Sequence, residues 1–510
     1  MSQGAPRSRF IALWTALVAL KFALAALLPV FADEAWYWLE SRHPAWAYSD
    51  LPGATAWLIG LGTALAGNTP LGLRWPFVAM AALSSWLLVG IARRLGDPSG
   101  GWNGAAIALA IPLFASLGVM ALPDVPLVLA ALLCFQALLR LRVGMDRLAV
   151  GELAAGLVLG ALTHHRFVLL LGAGALALLV DPALRARLRW PPVIAALVAG
   201  VLAWWPVLAF ERTHDAAALR FQFLERHPWS FQPEALMQPL EQAVVVTPLL
   251  YGLLLWTLWQ CWRRRQAPDA PWRFVLAGCG TLLAGFFLAG MLADRERVGF
   301  HWPLVAYLPL AALLPRVLPK VPRRLAAAAL GLAAAGCVLL FAYLAATASS
   351  PGRQALARAG AYPDNFSGWV EAATASELAL MMMPPDTLLV ADNFKLAAQL
   401  ALALDGGRRV YAMDHRLNVD HGRAAQLRIW GIDDDAVEAS GAAPKLIVVE
   451  VTATSVRWRE PWYRSICARV DGWRRLRALE VDGGAKRFEW FAAPADSGCD
   501  VPAALPSGKH

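Results

Sequence analysis

Asp33 and Glu34 stand side by side in the stretch FADEAWYWLESRHPAWAYSD, directly after the first long apolar segment. Two carboxylates at the point where a chain leaves a membrane are costly unless something uses them. Trp36, Tyr37, Trp38, Trp46 and Tyr48 surround them, and these residue types settle at a membrane–water interface. An acid held at such an interface points to chemistry on a lipid-borne substrate. Neighbours on a helix point about 100° apart, so one small cavity would receive only one of the two acids. Other residues able to do chemistry are Asp50, Asp124, the run His164-His165-Arg166, the polar and aromatic segment 211–242, and the segment 294–301 with Arg295, Arg297 and His301.

Each has a plainer reading. Asp33 could cap a helix beginning near Ala35, where an acid is favourable. Asp124, between Pro123 and Pro126, fits an N-cap with proline in the first turn. The double histidine could be a polar hairpin turn, and Arg295 and Arg297 ordinary interfacial anchors. Segment 211–242 could be a lid that orders on substrate or a helix lying in the interface. Histidine, aspartate and glutamate in these loops could bind a divalent cation, Zn²⁺ or Mg²⁺. No ligand spacing is diagnostic, so a metal stays unknown and no cofactor is certain.

The elements that must position these residues are transmembrane helices. The chain is 58% hydrophobic and 16% charged, against about 25% charged in soluble domains. Its 46 basic and 37 acidic residues leave a net charge of +9. In a soluble protein that excess would raise nucleic acid as a partner. Here the basic residues fall in short clusters between apolar segments, which membrane topology explains, so no nucleic acid is expected. Residues 1–9 form a basic flank and 10–30 can span, as a retained first helix rather than a cleaved signal. Windows of about 20 apolar residues give about eleven transmembrane helices. They lie near residues 10–30, 74–92, 102–120, 124–141, 149–163, 166–181, 191–210, 244–262, 273–293, 302–318 and 323–346.

Alternate loops carry Arg7/Arg9, Arg93-Arg94, Arg140/Arg142/Arg147, Arg185/Arg187/Arg189, Arg263-Arg264-Arg265 and Arg316/Lys320/Arg323/Arg324. That side, with the N-terminus, should be cytoplasmic. The opposite side receives Asp33-Glu34, Asp124, His164-His165-Arg166, the two long polar segments and everything after the last span. Beyond residue 346 apolar runs shorten and charge rises. Strands are expected at 387–392, 409–413, 445–451, 476–481 and 487–492, and helices at 368–383, 394–404 and 455–468. Alternating strands and helices make a small α/β domain. The expected organisation is a transmembrane catalytic domain over 1–346 and an outer α/β domain over 347–510. Cys134, Cys261, Cys279 and Cys337 read as small core residues. Cys467 and Cys499 could pair if the tail lies in an oxidising compartment.

The run DEAWYWLESRHPAWAYSDLPGATAWLIGLGTALAGNTPLGLRWP resembles the first outer loop of polyprenyl-phosphate-sugar-dependent transferases, glycosyltransferase family 39 of the GT-C superfold. That group includes the lipid A aminoarabinose transferases and bacterial relatives of the protein O-mannosyltransferases. ALPDVPLVLAALLCFQALLRL, GLVLGALTHHRFVLLL, VGFHWPLVAYLPL, VADNFKLAAQLALAL and AAQLRIWG resemble later blocks, in order. Two blocks depart. Many relatives have His-Pro-Pro where this chain has Leu51-Pro52-Gly53 after Asp50. Many have a lysine block where it has His164-His165-Arg166-Phe167. Both point to a subgroup with a different substrate.

The resemblance implies transfer of a sugar from a polyprenyl (undecaprenyl) monophosphate to an acceptor at the periplasmic face of a bacterial inner membrane, with inversion. It implies a lipid A, lipopolysaccharide or other envelope glycan acceptor, with protein less favoured. Asp33 matches the family's essential acid, as base or positioning group, with Glu34 and Asp124 as further acids in the site. His164, His165, Arg166, Arg295, Arg297 and His301 are candidates for the donor phosphate. Arg42 and Asp50 are candidates for the acceptor or for membrane lipid headgroups. Rival readings are a lipid-linked sugar flippase or transporter, and an oligosaccharide ligase or polymerase. A flippase would place polar residues near the middle of several spans, often in repeated halves, whereas here they sit at outer ends.

Overall fold

Apolar helices fill the first two thirds of the chain and a mixed sheet the last third. The computed structural model describes residues 4–225, 229–268, 271–292, 299–495 and 498–499. Two compact units emerge, each discontinuous in sequence. The first is Met1–Ala26, Ala45–Leu65 and Leu71–Tyr343; the second is Leu27–Pro44, Ala66–Pro70 and Leu344–His510.

Among the described residues, six helices are long and apolar enough to cross a membrane: Gly4–Leu27, Pro70–Arg94, Asp124–Val143, Pro191–Thr213, Trp272–Leu292 and Arg323–Thr347. A seventh arises if Pro233–Val246 and Pro248–Arg263, bent by 114°, are one broken span. The remaining segments of the eleven expected are apolar helices that are shorter or interrupted. Residues 102–120 divide into Trp102–Leu109 and Pro112–Ser116, because proline cannot continue a helix and constrains the residue before it. Phe167–Val180 and Leu304–Val317 have 14 residues each. At about 1.5 Å per residue they fall short of a hydrocarbon core of about 30 Å. Leu304–Val317 is nonetheless buried along almost its whole length. Helix Trp102–Leu109 packs on it at Gly104, where an added Cβ would come within 2.6 Å of the Ala312 carbonyl oxygen.

In the second unit the strands are β1 (Leu388–Ala391), β2 (Val410–Ala412), β3 (Lys445–Glu450), β4 (Arg474–Val481) and β5 (Lys486–Ala493), in the order β2-β1-β3-β5-β4. β1 is parallel to both β2 and β3, whereas β5 runs antiparallel to β3 and β4. Central β3 is buried at every position, as a strand covered on both faces must be. One face carries Val390, Ile447, Val449 and Phe491 beneath Tyr463, Ile466 and Trp473. Cys467 and Cys499 form a disulfide. The strand order reverses at β1/β3, where an open sheet usually offers a ligand crevice. Here that edge is filled by protein. Glu450, the last residue of β3, pairs with the buried Lys486 at 2.9 Å, and the Lys486 ammonium stands 3.5 Å from the Trp369 ring centre. Burial, and the proximity of Glu450, push the neighbouring Asp392 carboxyl well above its usual range.

Candidate functional site

Asp33 lies in the first turn of helix Ala32–Arg42. The cap of that helix is not Asp33. Phe31 is the extended N-cap residue, and its N–H donates to Glu34 Oε2 at 2.8 Å. Glu34 is fully buried in this role, which leaves Asp33 without a capping duty. Arg42 closes the last turn, exposed, with its guanidinium 5.9 Å from the Trp38 ring centre. Pro44 follows, as expected just beyond a helix end.

The helix is fixed by its aromatic face. Trp36 stacks edge-on to Phe394 at 5.5 Å and against Trp430 at 5.3 Å. The Trp36 indole N–H donates to Glu40 Oε1 at 2.7 Å. Gln399 donates to the Val30 carbonyl at 2.9 Å. Into this packing comes Arg423, which the sequence reading passed over. Gly422 has φ +72°, a left-handed conformation that glycine adopts without Cβ strain. That turn ends helix Arg416–Asp420 and starts Ala424–Trp430. Arg423 Nη1 lies 3.4 Å from Glu40 Oε1, and Nη2 lies 3.4 Å from the Tyr37 hydroxyl and 3.7 Å from Asp33 Oδ1. Next to it, His421 Nδ1 meets the Leu417 carbonyl at 3.0 Å. A carbonyl only accepts, so Nδ1 carries the proton. Burial lowers the ring's affinity for a second one, and the Asp33 carboxylate opposes that shift.

The first unit builds a second acid–arginine–histidine set. Pro123 is the N-cap of helix Asp124–Val143, so Asp124 is its first helical residue rather than its cap. Arg166 Nη2 donates to Asp124 Oδ1 at 3.0 Å, and His301 Nε2 lies 3.3 Å from the same oxygen. The Arg166 guanidinium sits 4.6 Å over the Trp302 ring. His164 braces Arg166: its Nδ1 is 3.1 Å from the Arg166 N–H and its Nε2 is 3.0 Å from Nε. A neutral imidazole has one bare nitrogen, so it accepts one of these donors at a time. Asp124, Arg166, His301 and Trp302 line a cavity of about 140 Å³. A larger cavity of about 410 Å³, almost wholly apolar and lined by residues such as Leu132, Leu157, Phe167 and Leu178, adjoins it. Leu170 and Val305 form walls of both.

His165 does not join this set. Its ring is buried 6.5 Å from Trp204, and neither ring nitrogen has a hydrogen-bond partner among the described residues. Burial pulls it down to about 4, so the ring stays neutral. Asp50 is buried in the turn closed by the Ala47–Pro52 bridge, and its carbonyl accepts from Gln222 at 3.0 Å. Arg295 and Arg297 lie outside the described residues. Among the described residues no three histidine, cysteine or acidic side chains gather as metal ligands.

The family model described as dolichyl-phosphate-mannose-protein mannosyltransferase matches residues 50–210. Lipid A galacturonosyltransferase RgtD of Rhizobium johnstonii (strain DSM 114642 / LMG 32736 / 3841) is 30% identical over 292 residues, 54% of this chain. The match spans 58% of that relative's length, less than two thirds of it. Over nearly the full chain, the fold matches the crystal structure of ArnT from Cupriavidus metallidurans bound to undecaprenyl phosphate. The TM-score is 0.63 at 14% identity, covering 97% of this chain and 99% of that one. The chain is thus similar to these glycosyltransferases over part of its sequence, and to ArnT in its fold. The fold also matches the archaeal oligosaccharyltransferase AglB of Archaeoglobus fulgidus, at TM-score 0.51 and 12% identity, covering 91% of this chain and 71% of that one. The family model ends at residue 210, so His301 and Arg423 lie beyond it. A charged residue directly before the AAQLRIWG block was the one sequence signal for Arg423.

Proposed function

We propose that the protein transfers a sugar from a polyprenyl monophosphate to a lipid or glycan acceptor at the periplasmic face of a bacterial inner membrane. The observation that carries this reading is the pair of adjoining cavities in the first unit, one with Arg166 and His301 set among apolar walls, one almost wholly apolar. A phosphate with an isoprenoid tail needs that combination. Arg166 and His301 hold the phosphate, and their charge-assisted hydrogen bonds strengthen as the anomeric C–O bond breaks and charge grows on the leaving oxygen. Asp124 orients both. As the acceptor oxygen bonds to the anomeric carbon, Asp33 takes its proton, and the lipid phosphate departs with inversion. If the acceptor is itself a phosphate, it arrives ionised and Asp33 positions it instead. No step runs through a divalent cation.

The name of the galacturonosyltransferase relative supports a uronic acid as the first sugar to try and lipid A as the first acceptor. The disulfide supports an oxidising compartment for residues 347–510, hence a periplasmic α/β domain and a cytoplasmic N-terminus. Eleven helices would then cross or enter the bilayer, the short ones inside the bundle, with Arg42 among membrane lipid headgroups. The test is transfer from a panel of labelled undecaprenyl-phosphate sugars to lipid A by the purified chain and by Asp33→Asn. Transfer that collapses in the folded variant is expected. Movement of the lipid-linked sugar across vesicles without transfer would replace this reading with a flippase.

A further inference from the structure

The reaction proposed above leaves Arg423 unused, although it is the most tightly held cation near Asp33. Its side chain is 4% exposed. The guanidinium lies 5.0 Å from the Trp36 ring centre, 5.1 Å from Tyr37 and 5.6 Å from Phe394. Glu40, buried and bonded to the Trp36 indole, supplies a counter-charge at 3.4 Å. Its charge is thus matched and its place fixed whether or not Asp33 is present. Asp33 differs. Its side chain is 29% exposed, and its Oδ1 stands 3.7 Å from Arg423 Nη2. That separation exceeds an ordinary hydrogen bond, so the cation acts on the carboxylate through its field without occupying an oxygen lone pair.

We propose that Arg423 is a positioning residue for Asp33: a fixed cation from the C-terminal part of the chain that aims the carboxylate while leaving its oxygens to the substrate. The inference rests on Asp33 being the reacting acid. The other charged or titratable groups around Asp33 do not supply this function. Glu34 and Glu40, on its own helix, are acids already engaged with the Phe31 N–H and with Arg423. The Tyr37 hydroxyl accepts from Arg423. His421 is neutral for the reason given above. Lys395, at the start of helix Phe394–Ala403, donates its ammonium to Asn365 at 3.1 Å.

The test is a double-mutant cycle in the full-length chain in nanodiscs, with undecaprenyl phosphate carrying galacturonic acid as donor and lipid A as acceptor. Arg423→Gln is expected to lower kcat about 30- to 100-fold with the donor KM unchanged, because a misaimed base affects the chemical step rather than donor binding. In the Asp33→Asn background the same change should cost nothing further, and Arg423→Lys should recover part of the loss. Equal losses in both backgrounds, with Asp33→Asn itself defective, would mean a purely structural role and would overturn this proposal alone. An Asp33→Asn variant as active as wild type would instead remove the reading on which it rests. Should Arg423→Gln not fold, Arg423→Lys is run through the same cycle. Its displaced charge should slow only the chain that still has Asp33, and an equal loss in both would overturn the proposal.

Discussion

Asp33 and Asp124 each stand in the first turn of a helix, each beside an arginine, a histidine and a tryptophan, yet the two arginines are held in opposite ways. Arg166 lines a cavity with its acid and its histidine, beside an apolar chamber. Arg423 lies beneath three aromatic rings with a private counter-ion in Glu40. The difference shows that an arginine–carboxylate pair does not by itself define a role. What surrounds the guanidinium decides whether its charge is offered to a ligand or kept as a fixed field.

The widest test of that contrast is Glu40→Gln. If Glu40 is the true counter-ion of Arg423, removing it leaves a buried charge poorly matched, at a cost of about 3–5 kcal/mol. The unfolding midpoint in detergent reads this directly, and a loss below about 1 kcal/mol would erase the distinction between the two sets. Next in size is Arg166→Gln, which should lower transfer about 100- to 1,000-fold, or about 2.7–4 kcal/mol. It should also weaken binding of undecaprenyl phosphate alone, measured by isothermal titration. Arg423→Gln should leave that binding unchanged, and parallel losses would merge the two roles.

Histidines sharpen the comparison at a third level. His415, in the second unit, accepts the Leu417 N–H at Nδ1 and faces Thr454 at 3.2 Å, and burial pulls it down to about 4 from 6.5. Above pH 6.5 the ring is neutral in both folded and unfolded chains and imposes no penalty. As the pH falls from 6.5 towards 4 the unfolded chain binds a proton that the folded chain refuses, so stability is lost, by roughly 3 kcal/mol at most. His415→Asn keeps a capping side chain and removes this titration, so its unfolding should be flatter than wild type across that window. The buried acids Asp392 and Glu450, raised by burial, act with the opposite sign. The difference between the two chains, not the absolute slope, is therefore the readout. An unchanged slope would place the protonation elsewhere. Smallest is the stability effect of Asp33→Asn. Its partly exposed, long-range pair with Arg423 should contribute less than about 1 kcal/mol, even where transfer is lost; a larger drop would make Asp33 part of the scaffold.

Much of this was legible in the sequence. Short apolar runs between turn residues marked all five strands, and they do not alternate because β3 is covered on both faces. The aromatic segment after Asp33-Glu34 marked a helix, whose rings are buried in protein. The finer site was less legible, for physical reasons. Which of two adjacent acids caps a helix depends on where the helix begins, and it begins at Ala32 rather than near Ala35. His164 and His165 are identical letters and equally buried, but a helix end turns one towards Arg166 and the other towards Trp204. Arg423 sits in a three-residue turn with no period, and its partner Glu40 is 383 positions away. Nothing local in the sequence encodes so long a pairing.

That separation also bears on how the protein is made. At about 5–20 residues per second, a ribosome needs roughly 20–80 s to advance from Glu40 to Arg423. Throughout that interval the Asp33 helix exists without the arginine, the Phe394 ring or the Trp430 ring that later cover it. The nascent chain must park an acidic, tryptophan-rich segment until its last third has been made. Products that stop between Thr347 and Phe394 carry all six long apolar helices described above and still lack the residues that pack around Asp33.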